Sequence, residues 1–402
     1  MVDIKEMFKS EIKKNSVFKN KNIVSPHYIP DILPFRDDQI KEIISNLAPA
    51  LQGKKINNLF LYGKTGTGKT STIKVVLSKM EELAKERTDC KSIVTTYINC
   101  RNHNTKYRII LKHINDLYKH DYVGYSSSFV YDKLAEYVKK NKIGLIIVLD
   151  EIDLIKDVDD AVYALTRAND ELTDGSISIV GISNNVMFKQ KLDPRTKSSL
   201  CEKELVFPPY NAHELTKILQ GRVEEGFNKD CVDDSAIGLA SAYAAQESGD
   251  ARTAILLLLR AGEIADENKE IKITETDVRN AKKTVEKDIL LNMVSTLPEQ
   301  LQYVLFAITR LTKSKNQTTL GPNNEGILHS GEVYNEYYRI AKIQGKSPVS
   351  LKWFKQYLEE LELYGMIATT ISGKGVRGTT TLIKLGVDAK ILTGILEPKI
   401  GI

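Results

Sequence analysis

Cysteine is scarce in this chain. The four present (Cys90, Cys100, Cys201 and Cys231) lie far apart with no C-x-x-C pair, which argues against a disulfide framework or a cysteine zinc site and fits reduced intracellular thiols. Six histidines form no H-x-x-x-H or similar spacing, so no metal site built from protein ligands alone is expected. Long apolar runs are missing as well. Runs such as Leu145–Leu149 and Ala254–Leu259 fall far short of the roughly 20 residues a membrane-spanning helix needs. The N-terminus is charged within its first six residues and lacks an apolar signal core. These absences lead to the expectation of a soluble cytoplasmic protein with no membrane partner.

What is present is the make-up of a globular protein: 42% hydrophobic and 27% charged residues over 402 positions, enough for two or three domains. A net charge of +5 permits an anionic partner without demanding one. That charge is unevenly placed. No acidic residue occurs from Gly365 to Lys384, where Lys374, Arg377 and Lys384 are basic. Residues 1–22 form a lysine-rich tail. From 23 to 207, short apolar strand runs (Leu59–Tyr62, Ser92–Ile98, Leu145–Leu149, Ile177–Ile182) alternate with helical stretches, the pattern of a doubly wound α/β domain. From 208 to 291 the pattern is helical only, with Thr274-x-x-Asp277 as a capping signal for its last helix. From 292 to 402 three helical segments precede two β-type runs, a helix-helix-helix-hairpin order.

Gly63-Lys64-Thr65-Gly66-Thr67-Gly68-Lys69-Thr70 satisfies G-x-x-x-x-G-K-S/T in full, between a strand and a helix. Its glycines let backbone N–H groups curl around phosphates at a helix N-terminus, Lys69 reaches the β- and γ-phosphates, and the Thr70 hydroxyl suits Mg2+. Asp150, ending a buried strand, is placed to position Mg2+, and Glu151 to polarise an attacking water. ATP or ADP with Mg2+ is the expected ligand. Three further residues have two readings each. Asn184 is either a turn asparagine or a γ-phosphate contact. Arg195, in Leu192-Asp193-Pro194-Arg195, is either a surface ion-pair residue or a finger that completes a neighbour's site. Arg252, after Gly249-Asp250, either stays exposed at a helix start or swings onto the phosphates.

At the other end, Ser350–Tyr364 carries an apolar stripe of Leu351, Phe354, Leu358 and Leu361, with Ser350 as N-cap and Gly365 as stop. Its opposite face begins with Lys352, Lys355 and Gln356, which suits insertion of the helix's first half into a major groove. The hairpin Met366–Ile371 and Thr379–Ile383 that follows has Lys374 and Arg377 at its tip, as a winged helix presents to DNA. A winged helix used for protein contacts has the same pattern. Gly373-x-Gly375-x-x-Gly378 is a wing tip rather than a dinucleotide fingerprint, since no helix begins there.

The motifs Gly63–Thr70, Asp150-Glu151, Ser183-Asn184-Asn185, Leu192–Arg195 and Gly249-Asp250-Ala251-Arg252 stand in the order of AAA+ ATPases. With Phe207-Pro208-Pro209-Tyr210-Asn211 they resemble the archaeal origin-recognition and cell-division-control type replication initiators, over about Tyr28 to Lys384. The resemblance implies a P-loop α/β core with a helical lid and a C-terminal winged helix. It makes Asn184 the sensor-1 residue, Arg195 the finger-type arginine and Arg252 the sensor-2 arginine. Tyr210 and Arg222 would line the nucleotide pocket, and Ile29 through Arg36 its adenine side. A helical insertion near Asn102–Ser128 would offer Lys106, Arg108 and Lys112 to DNA. Two positions depart from the family pattern: Phe35-Arg36 replaces the common histidine–arginine pair, and Asn185 the acidic residue after the sensor. The implied function is an ATP-regulated initiator that binds duplex origin DNA, hydrolyses ATP slowly, and works with a replicative helicase and paralogous initiators. An ATP-regulated transcription regulator and a clamp-loader-like remodelling ATPase share these motifs.

Overall fold

The apolar runs of the first half pair into one parallel sheet. Its strands are β1 (Asn58–Tyr62), β2 (Ile93–Asn99), β3 (Gly144–Asp150), β4 (Ser176–Ser183) and β5 (Glu202–Val206), in the order β2-β3-β4-β1-β5. The structure, a computed structural model, describes residues 16–86, 92–200, 202–318, 326–371 and 380–401, side chains 316–318 excepted. It divides into two compact units, Met1–Ala281 and Lys282–Ile402. No helix among the described residues is long and apolar enough to cross a membrane.

Alternation decides which face each strand residue serves. Leu59, Leu61, Ile146 and Val148 pack against Ile43 and Leu47 of α1 (Asp37–Leu51) and Ile73 and Val76 of α2 (Lys69–Glu86). Phe60, Leu145, Ile147 and Leu149 meet the opposite layer, α3 (Lys106–Tyr118), α4 (Ser127–Asn141) and α5 (Val158–Glu171). With both faces covered, β3 needs its unbroken run Leu145–Leu149. Edge strand β5 has no such run. Its Glu202 and Glu204 both pair with Lys189, and a charged edge discourages further pairing. Two short helices precede it, α6 (Phe188–Lys191) and α7 (Pro194–Leu200).

The lid follows as α8 (Ala212–Gly226), α9 (Asp234–Glu247), α10 (Ala251–Asn268) and α11 (Glu275–Thr296), the last continuing into the second unit. Asn211 and Glu214 form a capping box at α8. At the α11 start, Asp277 Oδ2 accepts from both the backbone N–H and the hydroxyl of Thr274, at 2.8 Å each.

The second unit holds α12 (Glu299–Thr318), β6 (Ile327–His329), α13 (Ser330–Ile343), α14 (Leu351–Leu363), β7 (Ile367–Ile371), β8 (Thr381–Leu385) and α15 (Ala389–Ile400). Its sheet is antiparallel in the order β6-β8-β7. Phe354, Leu358 and Leu361 of α14 enter the core beside Tyr337, Val304 and Ile383. This is a winged helix, with α14 as the helix before the wing. The sequence pattern does not mark β6 or α15. Leu351, expected on the inward stripe, is 57% exposed, standing at the very first position of the helix. Ser350 occupies the N-cap without a side-chain capping bond. The hairpin-tip residues Lys374 and Arg377 lie outside the described residues.

Candidate nucleotide site

Strand register assembles the site. Tyr62 pairs with Ser183 and Asp150 with Ile182, so Gly63, Asp150 and Asn184 all emerge at the carboxyl edge of the sheet, where open α/β sheets bind ligands. The P-loop leaves β1 and runs straight into α2. Gly66 has φ +71, and a Cβ there would fall 1.4 Å from Asp250 Oδ1, so only glycine lets the lid approach the loop this closely. The Ala251 N–H donates to Gly66 O at 3.2 Å.

Lys69 is buried at 5% exposure. Its ammonium donates to Gly63 O (2.7 Å), Lys64 O (2.8 Å) and Asn184 Oδ1 (2.9 Å). Burial pulls its pKa down to about 8, against the upward pull of Asp150. Thr70 Oγ1 donates to Asp150 Oδ2 at 2.9 Å, and the Tyr97 hydroxyl donates to the same oxygen at 2.6 Å. Burial, then the bond to Asp150, pushes the Tyr97 phenol up. The Thr70 hydroxyl and Asp150 carboxylate form a hard-oxygen pair that fits Mg2+, which takes one or two protein oxygens and completes its shell from phosphate and water. Glu151 stands at φ 55, in the left-handed region, and accepts from Arg101 Nε at 2.9 Å.

These groups open onto a cavity of about 790 Å³, floored by the P-loop and bounded by Pro26–Pro34, α8 and the start of α10. Arg252, Tyr210, Arg222, Glu151 and Asn184 line it; Arg195 does not, and is exposed in the first turn of α7. Arg222 spends its guanidinium on the N-terminal segment, donating to Ile23 O and Tyr28 O at 3.1 Å each and stacking on the Tyr28 ring.

Three more residues complete the arrangement: Arg36, from the segment expected on the adenine side, and Tyr97 and Arg101, which no motif announces. Arg36, 2% exposed, donates to Thr67 O (3.0 Å) and Pro208 O (2.8 Å) and lies 3.8 Å over the Tyr210 ring. It thereby ties the P-loop to the start of the lid. Tyr97 and Arg101 hold Asp150 and Glu151. The signal for both was only their place at or just after the end of β2, which pairs with β3 up to Asn99↔Asp150.

Away from this cavity, Arg108 and Lys112 share the outer side of α3, and Lys112 pairs with Asp116 at 2.6 Å. Lys106 lies on the side that carries the buried Ile110 and His113. On α14, Lys352, Lys355 and Gln356 are all exposed.

A P-loop on a β2-β3-β4-β1-β5 sheet, a carboxylate pair ending β3, and a helical lid that brings an arginine to the same cavity define an AAA+ nucleotide-binding module, here in a chain with a winged helix. Family models match in that order. The ATPase family associated with various cellular activities (AAA) covers residues 59–209, the Cdc6 AAA+ ATPase-type lid domain 216–283, and the CDC6 C-terminal winged helix domain 292–393. A family of unknown function (DUF815) overlaps at 9–90. The chain is 38% identical over 393 residues to the ORC1-type DNA replication protein 1 of Sulfurisphaera tokodaii, spanning 97% of this chain and 95% of that one. It is also 38% identical to the ORC1-type DNA replication protein of Pyrococcus horikoshii, spanning 95% and 90%. The solved structure of Aeropyrum pernix ORC1 in complex with DNA superposes with a TM-score of 0.79 at 34% identity, covering 96% of this chain and 98% of that one. The chain belongs to the ORC1/Cdc6 family of AAA+ DNA replication initiator proteins.

Proposed function

We propose that this protein binds duplex DNA at a replication origin through its winged helix and its AAA+ unit, with bound ATP as the switch. The observation that carries the reading is the convergence of Lys69, Thr70, Asp150 and Asn184 from the core and Arg252 from the lid on one cavity. A triphosphate there meets both elements, so ATP and ADP hold the lid differently. Lys69 and the P-loop N–H groups grip the phosphates; Asn184 and Arg252 sense the γ-phosphate. Thr70 and Asp150 would hold Mg2+, which neutralises phosphate charge when bound. Glu151 orients the lytic water, and its ion pair with Arg101 supports slow turnover, because the carboxylate must leave the guanidinium before it can take that water. Arg195, exposed outside the cavity, is free to reach a neighbouring initiator's nucleotide. Tyr210 and Arg222 shape the base side.

On DNA, Lys352, Lys355 and Gln356 face the major groove and the hairpin with Lys374 and Arg377 follows the backbone. Arg108 and Lys112, with Lys106 at the helix start, form the second contact. Recruitment of a replicative helicase completes the reading.

The test is anisotropy of labelled duplexes against salt, with and without ATP, for the wild type, Lys352→Ala/Lys355→Ala and Glu151→Gln. Salt-sensitive duplex binding, weakened by the lysine substitutions with a shallower salt slope and retained in Glu151→Gln while turnover disappears, is expected. Vigorous hydrolysis without duplex affinity would instead indicate a remodelling ATPase.

A further inference from the structure

The first turn of α14 displays a side chain that its basic character does not explain. Trp353, the chain's single tryptophan, is 53% exposed while its neighbour Phe354 is 1% exposed. Lys352 and Lys355 flank it in sequence, and exposed Gln356 lies one turn on, on the same side of the helix. The acidic residues come later. Glu360 accepts from the Tyr364 hydroxyl at 3.3 Å, and Glu362 accepts from the Thr369 backbone and hydroxyl at 2.7 Å each, fastening the helix to β7. The helix is therefore polarised, cationic and aromatic in its first half and anionic in its second.

A polyanion is drawn to the first half alone. Duplex DNA matches it best, since it offers phosphates to the lysines and, on the major-groove base edges, one apolar group, the thymine C5-methyl. The side-chain amide of Gln356 is complementary to the adenine edge of the same base pair. Resting on the duplex-binding reading above, we propose that Trp353 is a specificity residue, its indole packed on a thymine methyl while Lys352 and Lys355 hold flanking phosphates.

The single tryptophan makes the test direct. The full-length protein is titrated with a duplex selected by it from a random library, and with copies in which each thymine in turn is replaced by deoxyuridine. Anisotropy of the labelled duplex reports binding, and tryptophan emission with acrylamide quenching reports the indole. On saturation, acrylamide quenching falls several-fold. One deoxyuridine weakens wild-type binding by about fourfold, the worth of one buried methyl, and leaves Trp353→Ala unaffected. The substituted site is exposed, so an unchanged melting temperature is expected for the variant. Normal binding with the indole still open to acrylamide would overturn the proposal and assign Trp353 to a protein contact. Equal wild-type affinity for every deoxyuridine copy would also overturn it. Failure of the duplex-binding reading itself shows differently, as anisotropy that never rises.

Discussion

Lys69 is a cation kept from water before any phosphate arrives. Its folded pKa, about 8, lies below the ordinary 10.5, so between those values the unfolded chain holds more protons and this residue's effect on stability becomes more favourable as pH rises. Nucleotide binding reverses the pull, because phosphates favour the ammonium. ATP affinity should therefore fall above pH 8, by up to about tenfold per pH unit, with proton uptake on binding. Calorimetric titrations at pH 8.5 in two buffers of different ionisation heat measure that uptake; equal heats would show that Lys69 is already fully protonated. Arg36 is desolvated in the same way, its pKa lowered by burial, but its planar fork serves three carbonyls and a ring at once. Lysine lacks that geometry.

Helix α3 carries a different tension. His113 is fully buried, neither ring nitrogen has a hydrogen-bond partner among the described residues, and burial pulls its pKa down to about 3. The unfolded chain takes up this proton near pH 6.5 and the folded one does not, so stability is lost as pH falls below 6.5. The loss from this residue reaches about 2 kcal/mol at pH 5. His113→Leu should raise the melting temperature and flatten its fall between pH 7 and 5; an unchanged slope would show that another group governs acid sensitivity. Elements differ in how plainly the sequence announces them. The strands β1, β3 and β4 and helix α14 are legible because burial on both faces, or along one stripe, forces a continuous or periodic apolar pattern. Strand β5 is not, since an edge strand paired on one side tolerates Glu202, Lys203 and Glu204.

For the whole molecule, the two units have separate cores, and the nucleotide cavity lies wholly within Met1–Ala281. Differential scanning calorimetry should resolve two transitions, of which ATP raises only one, by about 2.7 kcal/mol at a hundredfold excess over Kd. A single transition that shifts as a unit would mean the cores unfold together.

By itself the sequence determined the phosphate chemistry. A P-loop needs small residues and a lysine at fixed local spacing, so Gly63–Thr70 and Asp150-Glu151 are legible one after another along the chain. It also determined the order of an α/β segment, an all-helical segment and a helix-hairpin segment, since each is written in its own periodicity, and the family resemblance made the second of them a lid. Only the tertiary structure decided which distant groups share an atom. Tyr97 reaches Asp150, Arg101 reaches Glu151, Arg36 spans Thr67 and Pro208, and Asp250 rests where a Gly66 side chain would stand. Those contacts depend on strand register and on how the lid closes over the loop, and neither is encoded by the spacing of residues within a segment.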